Sequence, residues 1–217
     1  MNPVYLSAPV SALMKGLYEE DTTLAYLKKQ GDFGLGTFND LDGEMALLDG
    51  AAYQLRTDGL VHPVDDARKL PFACVTFFAP TTVESVEQDL DDAGFRSLLD
   101  RLLPSRNVFT AIRIDGRFPA VQVWSVPRQD NHRPIAEVRP TGHDFRDIEG
   151  TLVGFYTPPF IASLSMPGYH LHFLSADRRQ GGHLFRCGLS KACIAIQVVP
   201  ELRLSLPMTL DYLTTEL

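Results

Sequence analysis

Three Asp-Gly pairs, Asp42-Gly43, Asp49-Gly50 and Asp58-Gly59, punctuate the stretch from Gly31 to Gly59. A two-residue type I′ turn needs positive φ at both central positions, so Asp-Gly between short apolar runs is the strongest local signal for a hairpin. The runs between these pairs, EMALL and AAYQL, are too short for stable helices and right for strands. The stretch therefore reads as a meander of short strands. Its glycines do not form a phosphate-binding fingerprint, because no parallel βαβ unit follows them. Residues 69–80, KLPFACVTFFAP, add a fully apolar strand closed by Pro80.

Outside the meander the pattern alternates between blocks. Val10, Leu13, Met14 and Leu17 recur at i, i+3, i+4 and i+7, which predicts a helix whose stripe is core rather than a ligand site. Asp21 reads as the N-cap of a helix over TTLAYLKKQ, with Gly31 just past its end. Residues 82–103 read as a further helix, with Phe95, Leu98, Leu99 and Leu102 as its stripe and Pro104 as its stop. The segment VFTAIRIDGRFPAVQVWSVP predicts a hairpin turning at Asp115-Gly116. Residues 128–149, polar and rich in Arg and Pro, read as a connector. A seam there would separate residues 1–127 from residues 128–217, as two parts or as regions of one compact unit. The remainder is a run of strands with short turns, so the chain reads as α+β with a mostly antiparallel C-terminal half.

Composition narrows the function classes. With 20 Lys+Arg against 27 Asp+Glu the formal charge is −7, and no basic run occurs. That argues against nucleic acid or an anionic membrane surface as a partner. The most apolar stretch, residues 72–79, is far short of the ~20 residues that cross a bilayer, and the N-terminus lacks the pattern of a signal peptide. Cys74, Cys187 and Cys193 are odd in number and form no CxxC; FACVTF and KACIAI read as apolar surroundings for reduced, buried thiols. A soluble, cytoplasmic protein is expected.

Three of the six histidines fall within GYHLHFLSADRRQGGH. On a strand His170 and His172 project from one face, with Leu171 and Phe173 on the other. The polar segment Asp177–Gly182 lets the chain turn back, which brings His183 beside the pair on the returning strand. Three imidazoles from adjacent strands make a half-shell like that of a catalytic zinc site with one open position. Such imidazoles also occur as hydrogen-bonded core residues, and a single histidine would be read that way. His62, His132 and His143 lie in polar segments without ligand spacing and read as surface residues.

GDFGLGTFNDLDGEMALLDG, PFACVTFF, LPSRNVFTAIRIDG, GTLVGFYTP and GYHLHFLSADRRQGGH together resemble the alpha-acetolactate decarboxylase family, in its motif order and near its spacing. The resemblance implies an α/β fold of the α+β type, a mixed sheet followed by a mostly antiparallel part that carries the metal. It implies a zinc ion on His170, His172 and His183, Glu44 of DGEM as the proton-transfer carboxyl, and Thr37 of GTFN as a pocket residue. It further implies a homodimer that converts 2-acetolactate to acetoin and carbon dioxide.

The chemistry suits those residue types. A zinc ion held as the resemblance implies would chelate the hydroxyl and ketone oxygens of the substrate and stabilise the enediolate left by loss of carbon dioxide, and a carboxylic acid would protonate one face of it. Three histidines also suit nickel, cobalt, copper or iron.

The chain departs from the family pattern at two places. Trp124 stands where the family carries a substrate-contacting arginine, and indole cannot make the charge-assisted bonds of guanidinium. Trp124 thus becomes a substrate-pocket residue, with Arg113, Arg128 and Arg133 as candidate substitutes. The family also brings in a C-terminal glutamate, for which Glu216 is the nearby carboxylate. These departures motivate two alternatives: a related metal enzyme acting on another 2-hydroxy-3-oxo acid or enolisable substrate, and a non-catalytic metal-binding homologue.

Overall fold

In a computed structural model describing residues 2–217, the chain forms two sheets packed face to face. The elements are β1 (Val4–Leu6), α1 (Val10–Met14), α2 (Leu24–Leu27), β2 (Phe33–Thr37), β3 (Glu44–Leu48), β4 (Ala51–Leu55), β5 (Val61–His62) and β6 (Phe72–Thr76). Then follow β7 (Thr82–Val86), α3 (Asp92–Leu102), β8 (Phe109–Ser125), β9 (Thr141–Thr157), β10 (Gly168–Ser175), β11 (Gly181–Cys187), β12 (Lys191–Val199), β13 (Leu202–Leu204) and α4 (Leu210–Thr214). The first sheet has the order β13-β1-β6-β2-β3-β4-β5 and is mixed, because β13 joins β1 in parallel. The second, β11-β10-β9-β8-β12-β7, is antiparallel, and a further pairing of β11 with β8 closes part of it on itself. The α+β class and the mixed-plus-antiparallel division expected from the sequence are both present. Among the described residues no helix is long and apolar enough to cross a membrane.

Alternation along the strands builds the core. Leu35, Ala46, Leu48, Phe72 and Cys74 of the first sheet meet Ala111, Val153, Phe155 and Leu174 of the second. Met45, Leu47, Ala73 and Val75 point the other way, under Leu24 and Leu27 of α2. The closed part of the second sheet is filled by Phe118 and Phe173, edge to face at 5.4 Å, with Leu152 and Leu171. Leu171 and Phe173, expected on the strand face opposite the histidines, are thus buried in this cluster.

The turn at Asp49-Gly50 has the positive φ values of its type, 53° and 78°, and joins β3 to β4 as expected. Asp115-Gly116 is different: no hairpin forms, and β8 runs straight through it for 17 residues. Here β9 and β12 take the backbone from both sides, with Gly116 opposite both Gly150 and Ala192. The Asp115 carboxylate is occupied by Arg113 Nε at 2.6 Å and Thr151 Oγ1 at 2.7 Å instead of capping a turn. Gly116 serves close approach, since a Cβ there would meet the Lys191 carbonyl at 2.5 Å and Ala192 Cβ at 2.6 Å. Gly116→Val is expected to cost about 1–3 kcal/mol, read as a lower urea midpoint; an unchanged midpoint would show that the ladder yields.

Four further expectations are corrected. Residues 82–86 are a strand, because the β-branched TVESV finds a partner in β12, and only 92–102 are helical. Asp21 does not cap α2; Thr23 does, accepting from Tyr26 N, while Asp21 pairs with Lys69 at 2.7 Å. The connector after β8 ends at residue 140, and 141–149 are already β9. Cys74 and Cys187 are buried thiols, but Cys193 is exposed, because β12 alternates Ala192 and Ile194 inward and Cys193 outward.

Candidate metal centre

The site lies where β10 and β11 of the second sheet face the ends of β2 and β3 of the first. His172 pairs with His183 across the β10–β11 ladder, and His170 lies two residues along β10 on the same face. The three rings stand 4.8–5.2 Å apart between centroids, and the donor nitrogens lie within 4.8 Å of one another. The hairpin expected from Asp177–Gly182 therefore brings the three histidines together. His62, His132 and His143 stay outside this cluster, with His62 on Asp58 and His143 on the Thr57 carbonyl.

His172 is fully buried, and its Nδ1 lies 2.8 Å from the Met45 carbonyl. A carbonyl only accepts, so Nδ1 carries the proton and Nε2 presents a lone pair. That Nε2 is buried with no hydrogen-bond partner and lies 3.7 Å from Glu44 Oε2. An orphaned buried acceptor flanked by two more imidazoles suits a divalent metal ion, whose bonds to imidazole nitrogen run about 2.0–2.1 Å. Burial lowers the pKa of all three rings, that of His172 to about 4, which keeps them in the neutral form that ligates. For His170 and His183 the neighbouring imidazoles add to this.

Glu44 arrives from the first sheet. It opens β3, and its parity with Ala46 and Leu48 turns it toward the histidines. The carboxyl is buried, and desolvation pushes its pKa up to about 8. Thr37 pairs with Glu44 across β2–β3, and its hydroxyl donates to the Gly43 carbonyl at 2.9 Å. The turn leading to Glu44 is held from outside. Burial raises the pKa of Asp42, but Arg68 at 2.8 Å and Arg56 at 2.9 Å outweigh it and hold the carboxyl below its usual range. That clamp was not read from the sequence, since neither arginine is near Asp42 along the chain.

A cavity of about 250 Å³ opens beside the cluster and is lined by Thr37, Glu44, His170, His183 and Trp124. Trp124 is the cross-strand partner of His183 and stacks on its ring at 4.0 Å. The candidate substitutes for a cation are engaged elsewhere: Arg113 with Asp115 and Asp49, Arg128 with Asp40, and Arg133 with Gln129 and the Glu137 carbonyl. Glu216 is exposed and does not line the cavity. Val10 and Leu13 do line it, so the α1 stripe is both core and pocket wall. Helical spacing alone carries no signal for that second role.

Residues 4–217 match the family model described as Alpha-acetolactate decarboxylase. The chain is 40% identical to the alpha-acetolactate decarboxylase of Methylococcus capsulatus over 99% of its own length and 84% of that protein's. It is 37% identical to the one from Bacillus subtilis over 100% and 86% of the two chains. The crystal structure of alpha-acetolactate decarboxylase from Bacillus subtilis strain 168 superposes with a TM-score of 0.95, covering 99% of this chain and 93% of that one. A Staphylococcus aureus protein of unknown function, described as similar to alpha-acetolactate decarboxylase, superposes at 0.94 with 26% identity, covering 99% and 94%. Agreement in sequence and in fold over nearly the whole length places this chain in the alpha-acetolactate decarboxylase family, a family of carboxy-lyases.

Proposed function

We propose that the chain converts 2-acetolactate to acetoin and carbon dioxide, with zinc as its divalent ion, His170, His172 and His183 as the ligands and Glu44 as the proton donor. The observation that carries this reading is the buried, partnerless Nε2 of His172 beside Glu44, whose carboxyl lines a cavity together with His170 and His183. When bound, the metal supplies Lewis-acid stabilisation of the charge that builds on the substrate oxygens.

The chain's own residues account for the rest. Breaking the carbon–carboxylate bond leaves an electron pair on the substrate's remaining carbon skeleton. Glu44 gives its proton to that carbon, forming the C–H bond of acetoin, and recovers a proton from water afterwards. The desolvated wall around Glu44 keeps the carboxyl protonated until then. Thr37 and the Asp42 clamp fix the turn before Glu44, so delivery is to one face of the planar intermediate.

The cavity beside the triad supports a catalytic site with an open position over a closed structural one. A cytosolic homodimer belongs to the same reading, supported by the buried thiols of Cys74 and Cys187 and by exposed Phe160, Met208 and Leu210. The test is acetoin release from racemic 2-acetolactate by zinc-loaded protein. Turnover is expected with metal and none after chelation; equal rates in both would overturn the assignment.

A further inference from the structure

The cavity beside the triad has an unusual composition for a site that receives an organic anion. No lysine or arginine lines it. Away from Thr37, Glu44 and the histidines, its wall is Val10, Leu13, Met14, Ile135, Met166 and Trp124 with their apolar neighbours. Its 250 Å³ would hold roughly eight water molecules, space shared between the substrate's polar core at the triad and its substituents at the apolar wall. Met14 and Met166 are 41% and 37% exposed, so the apolar wall continues from the triad to the surface. Trp124 is the only tryptophan of the chain, and its stack on His183 puts a flat apolar face directly beside the metal ligands.

Resting on the decarboxylase reading above, we infer that this pocket selects 2-hydroxy-3-oxo acids with hydrocarbon substituents larger than methyl. A metal held by His170, His172 and His183 would take the oxygens common to every such acid and would not tell them apart. Discrimination falls to the wall that meets the substituent. Each methylene that leaves water for that wall strengthens binding about fourfold until the cavity is full. Flexible methionine side chains at the mouth adapt to substituents of different shape. Every acid of the series carries the same single carboxylate charge, so a wall without cations leaves discrimination to the hydrocarbon substituent.

Two measurements on the zinc-loaded protein test this. The first is kcat/KM for homologous 2-hydroxy-3-oxo acids with methyl, ethyl, propyl and benzyl substituents on C2. The second is quenching of tryptophan emission by 2-alkyl-2-hydroxy acids, which lack the ketone and do not react. Because Trp124 is the sole tryptophan, this signal comes from the pocket wall itself. Both series are expected to improve about fourfold per methylene. Met166→Gln, at the solvent-facing lip, should flatten both slopes, and Trp124→Arg should restore preference for the methyl compound. Acetoin formation with both series flat or falling would overturn the inference and leave the decarboxylase reading standing. A rising quenching series with no turnover of any acid would keep the apolar selectivity and overturn the decarboxylase reading.

Discussion

His172→Ala is expected to strip the protein of its metal while leaving a folded chain. Removing this imidazole deletes the most buried donor of the triad, the one whose tautomer the Met45 carbonyl dictates. Loss of an outer-shell partner alone costs 10–100-fold in metal affinity, so loss of the ligand itself should exceed about 100-fold. The fold should survive, because the three apolar clusters form without the site. The local cost is about 1–3 kcal/mol for leaving the Met45 carbonyl unpaired. Elemental analysis after dialysis and a urea titration separate the two effects. Retention of one equivalent of zinc by the variant would remove His172 from the ligand set.

Glu44→Gln should give the opposite profile, with metal retained and turnover lost. The amide has the shape of the protonated carboxyl but holds no transferable proton. Positioned acid catalysis contributes 10²–10⁴-fold, and a fall in kcat of about that size is expected with little change in KM. The variant has a second signature in the metal-free protein. In the unfolded chain Glu44 ionises near 4.5, whereas in the folded chain burial holds its pKa near 8. From about 6.5, above which the unfolded-chain histidines are neutral, up to about 8 the Glu44 carboxyl gives the folded state one more proton, so its share of metal-free stability falls as pH rises. Below that window the three histidines, whose folded pKa values burial lowers, act with the opposite sign. Glutamine cannot ionise, and Glu44→Gln should erase the carboxyl's slope. Full activity would refute the proton-donor role, and an unchanged slope would refute the burial argument.

How far local patterning reached depended on the element. The Asp49-Gly50 turn was legible because its two positive φ values are required by the turn itself. Asp115-Gly116 carries the same dipeptide but sits mid-strand, because β9 and β12 flank it and consume its backbone bonds. A dipeptide states what a turn would tolerate; neighbouring strands settle whether a turn forms. Residues 82–86 failed for a related reason. Five residues have weak intrinsic preference, and the edge of β12 decided theirs.

Within the site, the histidines were legible from spacing because strand geometry has a period of two and Gly181-Gly182 let the chain return. The pairing of His172 with Met45, 127 residues away, was not, nor was the stack of Trp124 on His183. The sequence by itself determined that His170 and His172 share a face, whereas Glu44, beside an Asp-Gly pair, reads locally as a solvated turn residue and gained a role only through the family motif. Only the tertiary structure decided that Glu44 shares the inward face of β3 with Ala46 and Leu48 and meets the histidines, that Arg56 and Arg68 lock the turn before it, and that α1 walls the pocket. Periodicity is a local property of the backbone, whereas the partner of a face is chosen by burial summed over the whole chain.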